Sequence, residues 1–311
     1  MSLDLIPPAL ICRPALPMDT RRVLELAKLI WEGHDYLPYV WADWLADPVG
    51  LLAVAEYGDR LAGVGKLTRL APGQWWLEGL RVHPDFEGRG FASHITDYLL
   101  AAWQRGLGAA QGGEVVRLTT SSERLAVHRI CAKRGFVKVG EINFYAAPAR
   151  QAAPHGFQPA APADAVEMLE FALRSESMSL LGGLVDLGWR WAALCPELLA
   201  DSIARRQAWW WREGQGVLTL WEDEEDGVKR PFIQALACSF QSEADCLEDY
   251  RRLAADLGYE QAACAAPLRP ESAAALEAAG FRRDWEEILY LFEKPNPVSP
   301  RNPYGIIPPA E

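Results

Sequence analysis

The sequence predicts an α/β (α+β) protein of two tandem domains, each with a mixed, mostly antiparallel sheet flanked by helices. Three observations lead to this prediction. Strand-like and helix-like stretches alternate over residues 10–146. The strand 75–82 runs into a glycine-rich turn that opens a helix. A helix followed by Gly-Phe and a final strand occurs twice along the chain. The 311 residues, 50% of them hydrophobic, suffice for two cores.

The first half follows a strand, two helices, a hairpin and then two helix–strand repeats. Asp19 is the predicted N-cap of the first helix, and Gly58-Asp59 is the predicted hairpin turn. The sequence Thr120-Ser121-Ser122-Glu123 is typical of a capping box that starts a helix. The predicted elements are a strand at 10–14, helices at 19–30 and 36–46, strands at 51–57, 60–70 and 75–82, a helix at 91–104, a strand at 115–119, a helix ending at 134–135, and closing strands at 136–146.

An Ala- and Pro-rich stretch at 147–162 is the predicted linker between domains 1–150 and 151–311, and a Pro-rich tail ends the chain. In the second half, Ala279-Gly280-Phe281 repeats the pattern of Arg134-Gly135-Phe136. The three consecutive residues 209–211 are tryptophans, which cannot all face one core from a single helix, so some are expected at a domain or subunit contact. The predicted elements are strands at 216–222 and 230–240, a helix at 243–257, a strand at 261–266 and a helix at 269–279.

The charge and the cysteine content limit the classes of partner and the cellular location that we expect. The net charge is −11, with residues 1–150 near neutral and the remainder strongly acidic, which argues against nucleic acid or an anionic membrane as partner. Six scattered cysteines without C-x-x-C spacing indicate neither a zinc site nor a disulfide framework, and a reducing cytoplasm is the expected location. No apolar run is long enough to span a membrane.

The most informative run is Glu78 to Ala92, where a strand leads through Gly88 and Gly90 into a helix. A helix start presents unpaired N–H groups and the positive end of the helix dipole to an anion, and glycines let that anion approach the backbone. The run therefore predicts a pyrophosphate site. It lacks the Gly-Lys-Ser/Thr of a P-loop, and Ser93 stands where a dinucleotide fold has its third glycine.

The run resembles the acetyl-CoA loop of the GCN5-related N-acetyltransferase (GNAT) superfamily, written Val-x-Pro-x-x-(Gln/Arg)-Gly-x-Gly-x-(Gly/Ala). Glu87 departs from that pattern at the Gln/Arg position. In the second half, Ser239-Phe240-Gln241-Ser242 stands at the place of the loop without a Gly-x-Gly, so the second domain is expected to be degenerate and unable to bind CoA in the usual way. The residues that match the pattern are Val82, Pro84, Gly88, Gly90 and Ala92.

The resemblance implies acetyl-CoA as cosubstrate, no metal, and direct transfer of the acetyl group to an amine without a covalent enzyme intermediate. It implies backbone contacts from the strand to the pantetheine and from the loop to the pyrophosphate, with Arg89 near the phosphates. Arg124, Lys133 and Arg134 are basic residues near the family's CoA edge, and one of the three is expected to contact the 3′-phosphate. The predicted cofactor-binding residues are Leu80, Arg81, Val82, Glu87, Gly88, Arg89, Gly90, Phe91, Ala92 and Arg124.

Glu78 is the predicted general base, because a carboxylate half-buried in an otherwise apolar strand has a raised pKa. The alternative is a structural ion pair with Arg81 or another cation. His83 and His34 are rival bases, since histidine titrates near neutral pH. Where the family often has a tyrosine acid for the leaving thiolate, four residues before Gly-Phe, this chain has Cys131. A buried structural thiol is the alternative reading of that cysteine.

The predicted acceptor site is formed by Tyr36, Tyr39 and Trp41, with Arg81 as candidate for a substrate carboxylate. Ordinary helix packing is the alternative for the aromatic residues. The pattern Asp-Tyr-Leu-Pro…Trp-Leu together with Glu-Gly-Leu-Arg-Val is similar to the histidine N-acetyltransferase-like branch, which implies acetylation of a free amino acid. That branch also carries a degenerate C-terminal domain.

The sequence thus favours an acetyl-CoA-dependent N-acetyltransferase acting on a small-molecule amine. The alternative is a non-catalytic acyl-CoA-binding or regulatory module, favoured by the missing tyrosines and by Glu87. The second domain is expected to pack against the first, to close the substrate cleft or to form a homodimer.

Overall fold

The computed structural model describes residues 9–106, 115–151, 154–225 and 227–296. Most of the predicted Pro-rich tail lies outside the described residues. Contacts divide the chain into two compact units, one up to Val116 and again from Pro295, the other Arg117–Lys294. The compact units divide the chain after Val116, not at residue 150. The predicted domain boundary at residue 150 stays a prediction.

The first unit is an antiparallel sheet in the order β1-β2-β3-β4 with helices on both faces. Gly63 and Gly65 of β3 allow α3 to pack closely, since a Cβ at position 65 would lie 2.9 Å from Ile95. On the other face, α1 and α2 bury Val23, Trp41 and neighbouring apolar side chains. The elements are β1 (Leu10–Pro14), α1 (Thr20–Ala27), α2 (Leu37–Ala46), β2 (Leu51–Tyr57), β3 (Arg60–Ala71), β4 (Gln74–Val82) and α3 (Phe91–Gln104).

The second unit has a mixed sheet with helices on both faces and a separate two-stranded sheet, β8-β9. The elements, of which β5 starts in the first unit, are β5 (Val115–Ser121), α4 (Leu125–Lys133), β6 (Val137–Pro148), β7 (Phe157–Pro159), α5 (Ala165–Arg174), α6 (Glu176–Ser179), β8 (Leu184–Asp186), β9 (Trp191–Ala193), α7 (Pro196–Ala204), β10 (Ala208–Trp211), β11 (Gly216–Glu225), β12 (Val228–Ala237), α8 (Phe240–Asp256), β13 (Gln261–Pro267), α9 (Pro270–Ala278), β14 (Arg282–Arg283) and β15 (Leu289–Pro295).

The order β12-α8-β13-α9 repeats the order β4-α3-β5-α4, in agreement with the predicted duplication. The last strands are interleaved, however. The strand order in the second unit is β5-β15-β6-β13-β12-β11-β10-β7, so β15 from the end of the chain lies between β5 and β6. On its other edge, β6 pairs with β13 along seven register positions, from Gln261–Pro148 to Pro267–Ile142. Strands from the two halves of the chain therefore complete one sheet.

Three local predictions were wrong. The first helix ends at Ala27 rather than Ile30, because the chain turns there into a 3-10 segment, Trp31–Gly33, with φ of +46°, +57° and +91°. The strand β5 runs on to Ser121, so α4 starts at Leu125 and not in the capping-box sequence. The three tryptophans form a strand, and its two faces bury Trp209 and Trp211 in one core and Trp210 against another, which accounts for them within this unit.

The buried hydroxyl of Tyr250 links β12 and β13. It lies 2.7 Å from the Pro231 carbonyl oxygen and 3.0 Å from that of Ala263, and it accepts the Ala263 N–H. We expect Tyr250→Phe to lower the free energy of unfolding by about 1–3 kcal/mol, because buried backbone groups lose their partner. Urea unfolding measures this change. Tyr259→Phe is the control, since Tyr259 is only half-buried and water replaces it at Glu222; equal losses for the two variants would contradict the role of Tyr250.

Candidate active site

The strand β4 contains a bulge at its centre. Gly65 of β3 stands opposite both Gly79 and Leu80, because the register passes from Val64–Arg81 to Lys66–Glu78. Such a bulge carries backbone groups out of the hydrogen-bond ladder and re-aims the neighbouring side chains. Gly79 has φ of +66°, and a Cβ there would overlap the ring of Trp44. Only glycine fits this position, so Gly79 and Trp44 fix the bend of the strand.

The predicted phosphate loop has the geometry that an anion requires. Gly88 and Gly90 have φ of +73° and +81°, and no atom lies within 4 Å of the place where a Cβ would be at either residue. Gly90 is the N-cap of the 14-residue helix α3. The first N–H groups of a helix have no acceptor within the helix, and the space beside Gly88 and Gly90 is open. The loop therefore fits the pyrophosphate of acetyl-CoA.

The other loop residues surround this cradle. Phe91 is buried against Phe86 with ring centroids 5.7 Å apart, which anchors the start of α3. Arg89 is exposed and lies over the Phe86 ring at 5.6 Å. Glu87 is exposed and caps the preceding 3-10 turn. Ala92 is half-buried at the first turn of the helix. The departure from the family pattern at Glu87 therefore concerns a solvent-facing side chain.

Glu78 lies one residue before the bulge and is half-buried. Its carboxylate accepts a hydrogen bond from Thr68 Oγ1 at 2.5 Å. Lys66 is the register partner of Glu78, so the two side chains leave the same face of the sheet. Lys66 is 1% exposed and its ammonium group is bound by Asp47. The predicted base is thus oriented by a threonine beside a buried, neutralised lysine.

A buried ion pair that sequence reasoning missed joins β4 to the segment before α2. The guanidinium group of Arg81 donates from Nε and Nη2 to the two oxygens of Asp35, each at 2.9 Å. Burial alone would lower the pKa of Arg81, but the hydrogen bonds to Asp35 hold it raised. Arg81 also lies over the rings of Trp31 at 4.3 Å and Tyr36 at 5.0 Å. An arginine in an otherwise apolar strand signals such a carboxylate partner, but not its place in the sequence.

This ion pair also bears on the predicted role of Arg81. Both oxygens of Asp35 are taken, and Nη1 of Arg81 donates to the Leu80 carbonyl at 3.1 Å. The pair is close to neutral, so its attraction for a substrate carboxylate is small. The observed contacts instead make Arg81 a residue that holds the bulge in place.

Tyr36 is the predicted acceptor-site residue nearest to these charges. It is 40% exposed and packs edge-on against Trp44 at 6.2 Å. Partial desolvation raises the pKa of the Tyr36 phenol, and the positive charge of Arg81 opposes that rise. The negative charge of Glu78 adds to it, so the phenol and the predicted base lie within electrostatic reach of each other. The structure therefore brings Tyr36, Glu78 and Arg81 together.

The remaining predicted residues of this unit lie elsewhere. Trp41 is buried in the core, and its indole N–H donates to Thr20 Oγ1 at 2.9 Å, which is a packing position. Tyr39 is 86% exposed on α2. His83 caps a 3-10 turn by accepting the Asp85 N–H at its Nδ1. His34 is exposed at the end of the turn 31–33.

Cys131 and Arg124 belong to the second unit, at α4. Cys131 is completely buried, and burial raises the pKa of its thiol to about 12. A leaving thiol has an ordinary pKa of about 8.5, so this cysteine is a weaker acid than the group that it would protonate. Arg124 is exposed at the N-cap of α4, and its contact with a 3′-phosphate stays a prediction.

The bulged strand, the glycine turn and the helix start belong to an α/β protein whose glycine turn has the backbone geometry of an anion site. The family model described as "Acetyltransferase (GNAT) family" matches residues 20–136. This match confirms the predicted resemblance to the GNAT family for that part of the chain; membership of the histidine N-acetyltransferase-like branch stays a prediction. A human protein named "Probable N-acetyltransferase 16" is 28% identical over 130 residues, 40% of this chain. The match spans about a third, 34%, of the human protein.

Solved structures confirm the predicted fold class. A GCN5-related N-acetyltransferase from Sphaerobacter thermophilus is similar with a TM-score of 0.62 at 15% identity, over 92% of this chain and 96% of that one. A tandem GNAT protein from the clavulanic acid biosynthesis pathway is similar with a TM-score of 0.54 at 14% identity, over 94% of this chain and 100% of that one. At these identities the likeness concerns the fold.

Membrane spans and metal sites are two further features that the described residues can be examined for. None of the helices within the described ranges has the length and apolar character of a membrane span. In the same part of the chain, no group of three or more His, Cys, Asp or Glu side chains is arranged to hold a metal ion. The cytoplasmic location, the homodimer, and the absence of metal, nucleic-acid and membrane partners stay predictions.

We expect Asp35→Ala to lower the free energy of unfolding by about 3–5 kcal/mol, because it leaves the Arg81 guanidinium buried without its counter-charge. The midpoint of urea unfolding measures the loss. Glu25→Ala is the matched control: Glu25 pairs with Lys28 at 2.9 Å on the surface, and such pairs contribute about 0–1 kcal/mol. A loss at Asp35 no larger than at Glu25 would show that the ion pair does not hold this segment.

Proposed function

We propose that this protein is an acetyl-CoA-dependent N-acetyltransferase that transfers the acetyl group to the amine of a small molecule. The observation that carries the proposal is the bulge at Gly79 directly followed by the open glycine turn at Gly88 and Gly90. The family match over residues 20–136 and the named relative support the same activity.

The chain offers distinct groups for each part of the cosubstrate. The N–H groups of residues 88–92 would hold the pyrophosphate, with the exposed Arg89 side chain beside them. The backbone of Leu80, Arg81 and Val82 would pair with the pantetheine amides. Acetyl-CoA supplies the activated thioester. Backbone N–H groups that leave the ladder at the bulge would be available as donors to the oxyanion.

Glu78 is the proposed base. Its carboxylate, oriented by Thr68, accepts a proton from the acceptor ammonium group and so frees the nitrogen lone pair. The nitrogen then attacks the thioester carbonyl, the N–C bond forms, and the C–S bond breaks with the electron pair leaving on sulfur. The surplus proton of the nitrogen passes to solvent as the amide forms. We assign no acid to the thiolate, because Cys131 is too weak an acid and a thiol leaves readily as its anion.

The acceptor is proposed to be a small amine, with free amino acids as one class to be tested. Tyr36 and Trp44 form aromatic surface next to Glu78, which suits the apolar part of such a molecule. Arg81 is proposed as a positioning residue, because Asp35 neutralises its charge.

The second candidate function is a non-catalytic acyl-CoA-binding module. The observation that favours it is the burial of Cys131, which leaves the family's tyrosine position without an effective acid. The two functions differ in one measurable property, since both bind acetyl-CoA and only the enzyme consumes it.

We expect Glu78→Gln to lower kcat about 10²-fold to 10⁴-fold, the range that a general base contributes, and to leave the Kd for acetyl-CoA within about twofold. Isothermal titration gives the Kd, and thiol release over a panel of amines and amino acids gives kcat. Glu25→Gln is the control, because this exposed carboxylate of α1 lies outside the predicted cofactor-binding and substrate residues and is expected to leave kcat unchanged. Unchanged turnover of the Glu78 variant would remove the assigned base; binding without release for every amine would favour the binding module.

A further inference from the structure

The second repeat contains a cavity beside α8, the helix that corresponds in element order to α3 of the first repeat. Its strands β12 and β13 pair in parallel at Phe232–Ala263 and Ile233–Cys264. A cavity of about 80 Å³ is lined by residues 233–236 of β12 and 264–267 of β13, with further walls from α8 and α9. A water molecule takes about 30 Å³ in the liquid, so the space suits a ligand of a few heavy atoms.

The chain itself closes the end where a phosphate would bind. The helix α8 starts at the position of α3, but its N-cap Ser239 accepts the Ser242 N–H at 3.3 Å. The carboxylate of Glu176 accepts the Phe240 N–H at 2.8 Å, so a side chain of the protein already occupies the anion position. Ser177 Oγ accepts the Cys238 N–H at 2.9 Å and holds this short segment in place. These contacts leave the cavity without a phosphate site.

A carboxylate without a partner lines the cavity. Glu243 of α8 is 6% exposed, and its Oε2 has no hydrogen-bond partner among the residues that the structure describes. Burial raises the pKa of Glu243 to about 7, and the negative charge of Glu271 adds to the rise. A buried acceptor without a donor is costly, so such a group signals a missing partner.

A second buried carboxylate lines the same cavity. Asp186 is 3% exposed and accepts the Trp189 N–H at 2.9 Å and the Trp221 indole N–H at 3.3 Å. Burial raises the pKa of Asp186 to about 7. The negative charges of both Asp186 and Glu243 raise the pKa of the Cys264 thiol on β13. Both carboxylates therefore lie within electrostatic reach of Cys264.

We propose that this cavity binds a small primary ammonium ion, whose N–H groups donate to Glu243 Oε2 and whose charge is balanced by Glu243 and Asp186. Met178 and Leu276 supply apolar walls for a short alkyl chain. A monovalent cation satisfies the unpartnered acceptor and offsets part of the combined charge of the two carboxylates, which a neutral donor does not. The site lies in the second repeat and would act independently of acetyl transfer.

The binding depends on pH in a defined direction. The ligand needs ionised carboxylates, and groups with pKa values near 7 release their protons between about pH 6 and 8. The groups that face Glu243 are Cys246 on its own helix, Glu271 on α9 and Cys264 on β13, and Arg190 faces Asp186. None of these adds a positive charge next to Glu243. Affinity should therefore rise about tenfold or more from pH 6 to pH 8.

The test is isothermal titration of the full chain with propylammonium chloride, without acetyl-CoA, in two buffers of different ionisation enthalpy. We expect binding with proton release at pH 7, and at least a tenfold loss of affinity in Glu243→Gln and in Asp186→Asn. Glu277→Gln, an exposed carboxylate on α9, is the matched control and should keep the affinity. Propanol, the uncharged probe of similar size, should bind at least tenfold more weakly.

Folding is checked on the same variants. The folded pKa of Glu243 lies above its unfolded value, so its burial destabilises the protein as pH rises through 7. Glu243→Gln should therefore have a Tm equal to or a few degrees above that of the unchanged protein at pH 8. Propanol binding as well as propylammonium, or full affinity in Glu243→Gln, would overturn the proposal.

The experiments distinguish a failure of this cavity proposal from a failure of the proposed acetyl transfer. Glu78→Gln should leave propylammonium binding at this site intact, and Glu243→Gln should leave acetyl-CoA binding intact. Loss of acetyl transfer with retained, Glu243-dependent amine binding would count against the proposed enzyme alone. The reverse result would count against this cavity alone.

Discussion

The candidate site depends on one constraint, the bend that the bulge imposes on β4. The positive φ of Gly79 and the Trp44 ring beneath it fix where the strand turns. The ion pair of Arg81 with Asp35 then ties the strand to the segment before α2, and Glu78 takes its orientation from the straight part of the strand. An extra residue in one strand thus sets the direction of the base, the aromatic wall and the loop entrance together.

The loop was predictable and the ion pair was not, for a physical reason. Gly88, Gly90 and the start of α3 form a local pattern, because the backbone angles and the helix start are set within a few residues. Asp35 lies 46 positions from Arg81, and only the packing of α2 on the sheet brings them together. The bulge depends on the register between two strands, which no stretch of one strand reveals. The strand at residues 209–211 was not predictable, because three identical residues show neither helical nor strand periodicity.

The two repeats show how one arrangement of strand, helix and strand can serve opposite charges. In the first, glycines leave the helix start open to an anion. In the second, Glu176 occupies the same helix start, and buried carboxylates line the cleft beside it. The second repeat has no glycine turn at this helix start, and it contains a cavity beside the parallel strands β12 and β13.

The interleaving of β6 and β15 makes each half of the chain depend on the other for a complete sheet. β15 lies beside β5, and β6 lies beside β13, so each half of the polypeptide supplies a strand that the other half's sheet is built around. Separation of the halves within the Ala- and Pro-rich stretch would bare the edges at which β15 pairs with β5 and β6 and at which β6 pairs with β13. Bare strand edges invite uncontrolled pairing with other chains, so each half needs the other to complete the sheet, whichever ligands it binds.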